Sequence, residues 1–337
     1  MTVLHAEQAL ASAPVPRVLS TAATGGDRVF VLGARAIGAT VLAITGGIGF
    51  FLALQAVPTL RRYGWSFFTE TQWQPEADVL GIASVLVGTL TVALVAMSVA
   101  FPLALATSLY ISEYAPLRLK GFLISMVDLM AAVPSIIYGL WGFFLLQPYA
   151  SQIARFLHAY LGGVLPFLRV DTDPHAAVWE QTRYTASAFV AGLAVAMMVL
   201  PMAAAVMREV FSQAPMGERE AALALGSTRW GMVRSVVLPF GKGGIIGGTM
   251  LGLGRALGET IAVLLIISPS FELKFQPLEI ETNTVSALIA GRFGEATDAQ
   301  LSALLTAGLV LFLATLVVNT LAAIVVSRSR SGAGTDI

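Results

Sequence analysis

The sequence predicts an all-α polytopic membrane protein with six transmembrane helices, and three observations carry that expectation. Hydrophobic residues fill 56% of the 337 positions before the 32 glycines are counted, well above the share in an ordinary globular domain. Charged residues reach only 12%, too few to cover a soluble fold of this size. Uncharged runs also recur at the length of about 20 residues that a helix needs to cross a bilayer. None alternates in the manner of a barrel strand, so the runs read as helices.

Five runs are free of charge: residues 36–60, 79–112, 129–154, 184–207 and 299–327. A sixth, 243–271, is apolar apart from Arg255 and Glu259. Residues 1–28 lack the apolar core of a signal peptide, so the first run reads as a retained helix. Lys and Arg set the orientation. With both termini inside, twelve of the twenty face the cytoplasm and seven face out, Arg255 being the remainder. Eleven acidic residues then lie outside and seven inside. An acidic outer face suits reception of another protein better than attraction of a free anion. The expected organisation is a cytoplasmic tail 1–28, one membrane domain 29–327 and a second tail 328–337.

Absences narrow the chemistry. With no cysteine, disulfides, thiol catalysis and thiolate metal sites are excluded. The three histidines, His5, His158 and His175, are too scattered for a metal site and read as solvated loop residues. Net charge is zero without a basic stripe, so nucleic-acid binding has no support. No catalytic residue, metal or cofactor is assigned.

The inner loop 208–240 is long and patterned. Pro215 suits a helix first turn and Gly226 a helix C-terminus. Ser227 or Thr228 can cap a second short helix, which Pro239 is expected to close. Trp230, Val233 and Val237 share one face of it, with Arg229 and Arg234 off that face. The spacing of Glu220-Ala221-Ala222, Gly226 and Val236-x-Leu238-Pro239 resembles, position for position, the EAA motif of ABC importer permeases. In that family the loop docks into a cleft of a cytoplasmic ATPase, so the resemblance gives Glu220, Ala221, Ala222, Gly226, Leu238 and Pro239 an ATPase-coupling role. The chain carries no phosphate-binding loop of its own: Gly241-Lys242 has Val236 where the first glycine of that motif belongs.

Further segments narrow the resemblance. Trp73-Gln-Pro75 lies in the first outer loop and Val87-Gly88-Thr89 in the second run. Ala132-Val-Pro134-Ser135-Ile-Ile-Tyr138-Gly139-Leu-Trp141-Gly142 lies in the third, and Gly254-Arg255-Ala-Leu-Gly258-Glu259-Thr260 in the fifth span. Together, over residues 30–327, these resemble the C-type permease subunit of the phosphate-specific ABC importer. The resemblance implies a type I (MetI-like) permease fold in the bacterial inner membrane and import of inorganic phosphate. It also implies a heterodimer with the A-type permease subunit, two copies of a cytoplasmic ATPase and an extracytoplasmic phosphate-binding protein.

Arg255, Glu259, Thr260 and Ser135 are the candidate translocation residues. A charge inside a span is costly and usually faces a cavity and a partner. On one continuous fifth helix the i, i+4 spacing of Arg255 and Glu259 would put both on one face, within pairing reach. Arginine's planar fork suits an oxyanion. A self-neutralising salt bridge is the plainer alternative for that pair, and a helix kink is the plainer alternative for Pro134-Ser135. The glycines at 241–258 read first as helix-packing positions. Asp128 reads as interfacial or bonded to a neighbouring helix. Three competitors remain at this point: a permease for another oxyanion or the A-type half, a secondary transporter using Arg255, Glu259 and Asp128 as an ion relay, and a membrane enzyme using Glu259.

Overall fold

A computed structural model describes residues 25–172 and 182–328. Most of the expected N-terminal tail, nearly all of the C-terminal one, His5 and His175 lie outside the described residues. Two units are distinguished, Met1–Phe51 and Leu52–Ile337. In the first, the chain from Gly25 onward is helical, so Gly25–Arg28 already belong to helix α1, Gly25–Tyr63. From Ala36 to Leu60 this helix carries no charge, the pattern of a helix suited to lipid.

The second unit holds the rest of α1 and everything after it. A small hairpin of β1 (Trp73–Gln74) and β2 (Val79–Leu80) leads into α2, Ala83–Leu109, which a π turn at Tyr110–Tyr114 prolongs. Then come α3 (Leu117–Ala132), α4 (Ser135–Trp141) and α5 (Gln147–Leu161), the last two joined through a π turn at Gly142–Leu146. Helix α6 is Ala188–Ser212. The cytoplasmic loop supplies α7 (Met216–Ala224), α8 (Arg229–Met232), a π turn at Val233–Val237 and α9 (Leu238–Phe240). The chain ends with α10 (Lys242–Leu257), α11 (Ile261–Ile266), α12 (Val285–Arg292) and α13 (Asp298–Arg328).

Among the described residues four helices are long and apolar enough to cross a membrane singly: α1, α2 with its π turn, α6 and α13. Two bent pairs bring the number to six. Helix α6 is the axis of the fold and packs most extensively on α2 and α10. Its seam is built from small residues: Ala93, Ala96, Ala100 and Ala104 of α2, and Ala191, Ala194 and Ala203 of α6, are all buried. Between membrane helices, where lipid is as apolar as leucine, close approach of backbones supplies the packing energy. Gly248 illustrates it, since a Cβ there would come within 2.9 Å of the Ala203 carbonyl on α6.

The structure corrects two expected spans. The third run is not one straight helix over 129–154. Val133 and Pro134 are extended (ψ 130° and 141°), and α3 meets the α4–α5 rod at 90°. The cause is Pro134, which lacks an N–H and pushes the residue before it out of helical geometry. The Tyr138 hydroxyl donates to the Met130 carbonyl at 2.8 Å, satisfying an acceptor that the break frees. The run 243–271 also breaks, since α10 ends at Leu257 and α11 begins only at Ile261.

Two lesser expectations change as well. Pro239 does not close the second loop helix, which runs through it to Phe240 and bends by 68° into α10 around Gly241. The π turn just before Pro239 shifts the hydrogen-bond register where its N–H is missing. His158 is buried in α5, its Nδ1 2.7 Å from the Tyr184 hydroxyl, and is not a solvated loop residue. On the outer side, Trp73 is buried against Phe67, Leu80, Ile82 and Leu304 and stacks on Phe271. Hydrogen bonds from Tyr63 and then Arg62 hold the Asp78 carboxyl below its ordinary range at the hairpin turn.

Candidate functional site

The residues proposed from sequence fall in three places: the break between α10 and α11, the start of α4 and the loop α7–α9. At the break, Arg255 occupies the last turn of α10, where the helix dipole favours a cation. In the isolated chain its side chain is exposed. Among the described residues it makes no ion pair.

Glu259 follows Arg255 by four residues but has a different structural role. It is buried, 8% exposed, and its Oε1 accepts the Ala262 N–H at 3.3 Å. The carboxylate therefore caps α11, satisfying a donor that the helix start leaves open. Its backbone carbonyl accepts the Ser286 hydroxyl of α12 at 2.7 Å. The expected single face shared by Arg255 and Glu259 is thus corrected: the helix between them ends, and no ion pair joins them. Thr260 donates to the Gly258 carbonyl at 3.1 Å across the same gap.

Ser135 opens α4 directly after the other break and is half-buried. Helices α4 and α11 pack closely because Gly139 and Gly142 carry no side chain. A Cβ on Gly139 would lie 2.8 Å from the Ala262 Cα, and one on Gly142 2.7 Å from Ile266 Cδ1. These contacts advance together along both chains, so the two helices run parallel and begin on the same side. Ser135 and Thr260 therefore stand at the starts of two packed helices, with Tyr138 one turn into α4 and Arg255 in the last turn of α10. Asp128 stands apart, its Oδ1 3.7 Å from Arg208 on α6. No ion pair links it to Arg255 or Glu259, as a relay would need.

What holds the α10–α11 break in place comes from far along the chain. Thr89 of α2 accepts the Val285 N–H at 3.0 Å while donating to the Val85 carbonyl at 2.7 Å. A Cβ on Gly88 would fall 2.0 Å from the Asn283 carbonyl oxygen. The Val87-Gly88-Thr89 segment is thus the seat for the start of α12, whose Ser286 grips Glu259.

In the loop, α7 ends in a Schellman turn. The Ser227 N–H bonds to the Ala222 carbonyl at 3.2 Å and that of Gly226 to the Leu223 carbonyl at 3.0 Å. Gly226 takes φ +84°, which glycine adopts without strain. Thr228 caps α8, accepting the Gly231 N–H at 3.0 Å. Val233 and Val237 are buried, whereas Trp230, expected on their face, is 56% exposed. With Met216, Leu223 and Leu225 it gives the loop an exposed apolar surface. Glu220 and Ala221 are exposed, Ala222 and Leu238 half-buried, and Pro239 exposed.

The residue beside this motif was not singled out from sequence. Arg219, just before Glu220, is 15% exposed and its Nη1 lies 3.3 Å from Glu113, itself 5% exposed at the end of α2. Its place next to a recognised motif, and Glu113 as a lone carboxylate ending an uncharged run, were the available signals.

Comparison with known proteins agrees with this architecture. Residues 100–331 match the family described as "Binding-protein-dependent transport system inner membrane component". The chain is 38% identical to the phosphate transport system permease protein PstC 2 of Mycobacterium tuberculosis, over 91% of this chain and 94% of that one. It is 39% identical to the phosphate transport system permease protein PstC of Xylella fastidiosa, over 80% of this chain and 81% of that one. Among solved structures, a bacterial ABC transporter involved in import of the acidic polysaccharide alginate shares the fold, with a TM-score of 0.55 at 16% identity over 89% of this chain and 96% of that one. The chain belongs to the family of binding-protein-dependent transport system inner membrane components.

Proposed function

We propose that this chain is the membrane subunit of an ATP-driven importer of inorganic phosphate in a bacterial inner membrane. The observation that carries the reading is 38% identity to phosphate transport system permeases along 91% of the chain. The site geometry supports it. An anion crossing a low-dielectric path needs a fixed cation, and Arg255 is exposed, without an ion-pair partner among the described residues, at the point where α10 breaks. Its guanidinium offers a planar pair of donors to phosphate oxygens. Thr260 and Ser135 carry hydroxyls at the starts of the two packed helices α11 and α4. Glu259 acts from behind: by capping α11 it fixes the break that presents Arg255.

The working assembly in this reading pairs the chain with an A-type permease, two cytoplasmic ATPase copies and an extracytoplasmic phosphate-binding protein. The exposed apolar residues of α7–α8, with Glu220 beside them, form the surface for the ATPase. Both termini face the cytoplasm, by the Lys and Arg distribution. The test is reconstitution of the complex in proteoliposomes with ATP on the ATPase side and binding protein on the other. Phosphate uptake that requires both ATP and the binding protein is expected. Uptake without ATP, or equal uptake of sulfate, would overturn the proposal.

A further inference from the structure

Helix α7 has little to hold it in place. It is nine residues long and buries none of them fully, and only Ala222 reaches the apolar cluster around Phe211, Met232 and Val233. Pro215 precedes it, and Gly226, in the left-handed region, follows it. A short rod between two such points can rock without moving anything else. For an event at α7 to reach the membrane, something must fasten this helix to the spans.

Arg219 is that fastening. Its Nη1 lies 3.3 Å from both carboxylate oxygens of Glu113, at the cytoplasmic end of α2. Its Nη2 donates to the carbonyl of Phe211, at the end of α6. One guanidinium therefore joins α7 to the two helices that form the axis of the fold. Glu113 is itself steadied by the Ser112 hydroxyl, 2.6 Å from Oε1, and Lys120 reaches the Ser112 carbonyl at 3.3 Å. The pair is largely withdrawn from solvent, the two side chains being 15% and 5% exposed. A charge pair in such surroundings is far stiffer than one in water, and losing either member leaves the other uncompensated.

We propose that the Arg219–Glu113 pair, with the Phe211 carbonyl, is a strut that makes α7 move as one body with α2 and α6. Arg219 and Glu113 are positioning residues for coupling, not contacts to ATPase or substrate. The inference rests on the reading of α7 as the ATPase-docking helix. Removing the strut leaves docking and ATP hydrolysis in place but lets α7 rock, so hydrolysis no longer drives the spans.

The experiment measures phosphate uptake and ATP hydrolysis together in proteoliposomes holding the full complex. Arg219→Gln and Glu113→Gln are each expected to raise ATP hydrolysed per phosphate moved by about tenfold, a typical coupling free energy. The complex should co-purify as before. Arg219→Lys keeps the charge but cannot bridge both acceptors, and is expected to fall between. The chain has no cysteine of its own, so Glu113→Cys with Arg219→Cys can be joined by a short thiol crosslinker, which is expected to restore coupling that the double variant loses. Uptake and hydrolysis falling by the same factor in the single variants would overturn the proposal, as would a crosslink that leaves the ratio uncorrected. Failure of the docking reading is separate: it would show as loss of no ATPase subunit when Leu225→Asp and Trp230→Asp disrupt the exposed face.

Discussion

The α7–α9 loop and the α10–α11 break are both bends between helices, yet they are built in opposite ways. In the loop every determinant is within a few residues of the bend it makes. Gly226 takes its positive φ, Ser227 and Gly226 close the Schellman turn, and Thr228 caps the next helix. At the break, Gly258 has an ordinary φ of −94°, and the local bonds of Glu259 and Thr260 are only part of what holds it. The Glu259 carbonyl is also held by Ser286, and α12, which carries Ser286, is seated on Gly88 and Thr89. A bend made locally is suited to a surface that meets a partner in solution. One made by distant contacts can respond to rearrangement of the spans themselves.

That contrast predicts different responses to substitution. The largest effect is expected for Arg255→Gln, which should lower phosphate uptake by about a hundredfold, the scale of removing one preorganised donor to an anion. Its melting temperature should be unchanged, since Arg255 is exposed and makes no ion pair among the described residues. Gly88→Ala should act at a distance. Its Cβ would fall on a backbone carbonyl that cannot turn aside, and overpacking costs about 1–3 kcal/mol. A lowered melting temperature of the purified protein, together with lost uptake, checks it.

Gly226→Val attacks the local bend and should cost about 1–2 kcal/mol of backbone strain. No atom lies within 4 Å of the added Cβ, so the strain stays in α7. Insertion and melting should be near normal while stimulation of the ATPase is lost. The smallest effect separates charge from capping at Glu259. Gln retains an oxygen that can accept the Ala262 N–H, whereas Ala leaves α11 uncapped at a cost of about 0.5–2 kcal/mol. Glu259→Gln should therefore keep more uptake than Glu259→Ala. Equal loss in both would mean that the charge itself acts on the substrate.

The same contrast explains what could be read from the sequence. Gly226, Thr228 and Pro215 were legible because turn and cap chemistry depends on the residue and its immediate neighbours. Pro134 announced a disturbance, but its size, 90°, depends on Tyr138 and on the packing of α4 against α11. The end of α10 was hidden, because Arg255, Gly258 and Glu259 fit a continuous apolar run and the residues that interrupt it are Ser286 and Thr89. His158 was misread for the same reason, its partner Tyr184 being 26 positions away. The Arg219–Glu113 pair, 106 positions apart, joins charges that no local pattern relates.

The central claim is that the two bends do separable work, one meeting the phosphate and the other receiving the ATPase. The most direct test follows phosphate uptake and binding-protein-stimulated ATP hydrolysis in the same proteoliposomes, for Arg255→Gln and Gly226→Val side by side. The account predicts a crossed result: Arg255→Gln loses uptake but keeps stimulated hydrolysis, whereas Gly226→Val loses the stimulation itself. Both activities falling in parallel in Arg255→Gln, or stimulation surviving intact in Gly226→Val, would contradict it.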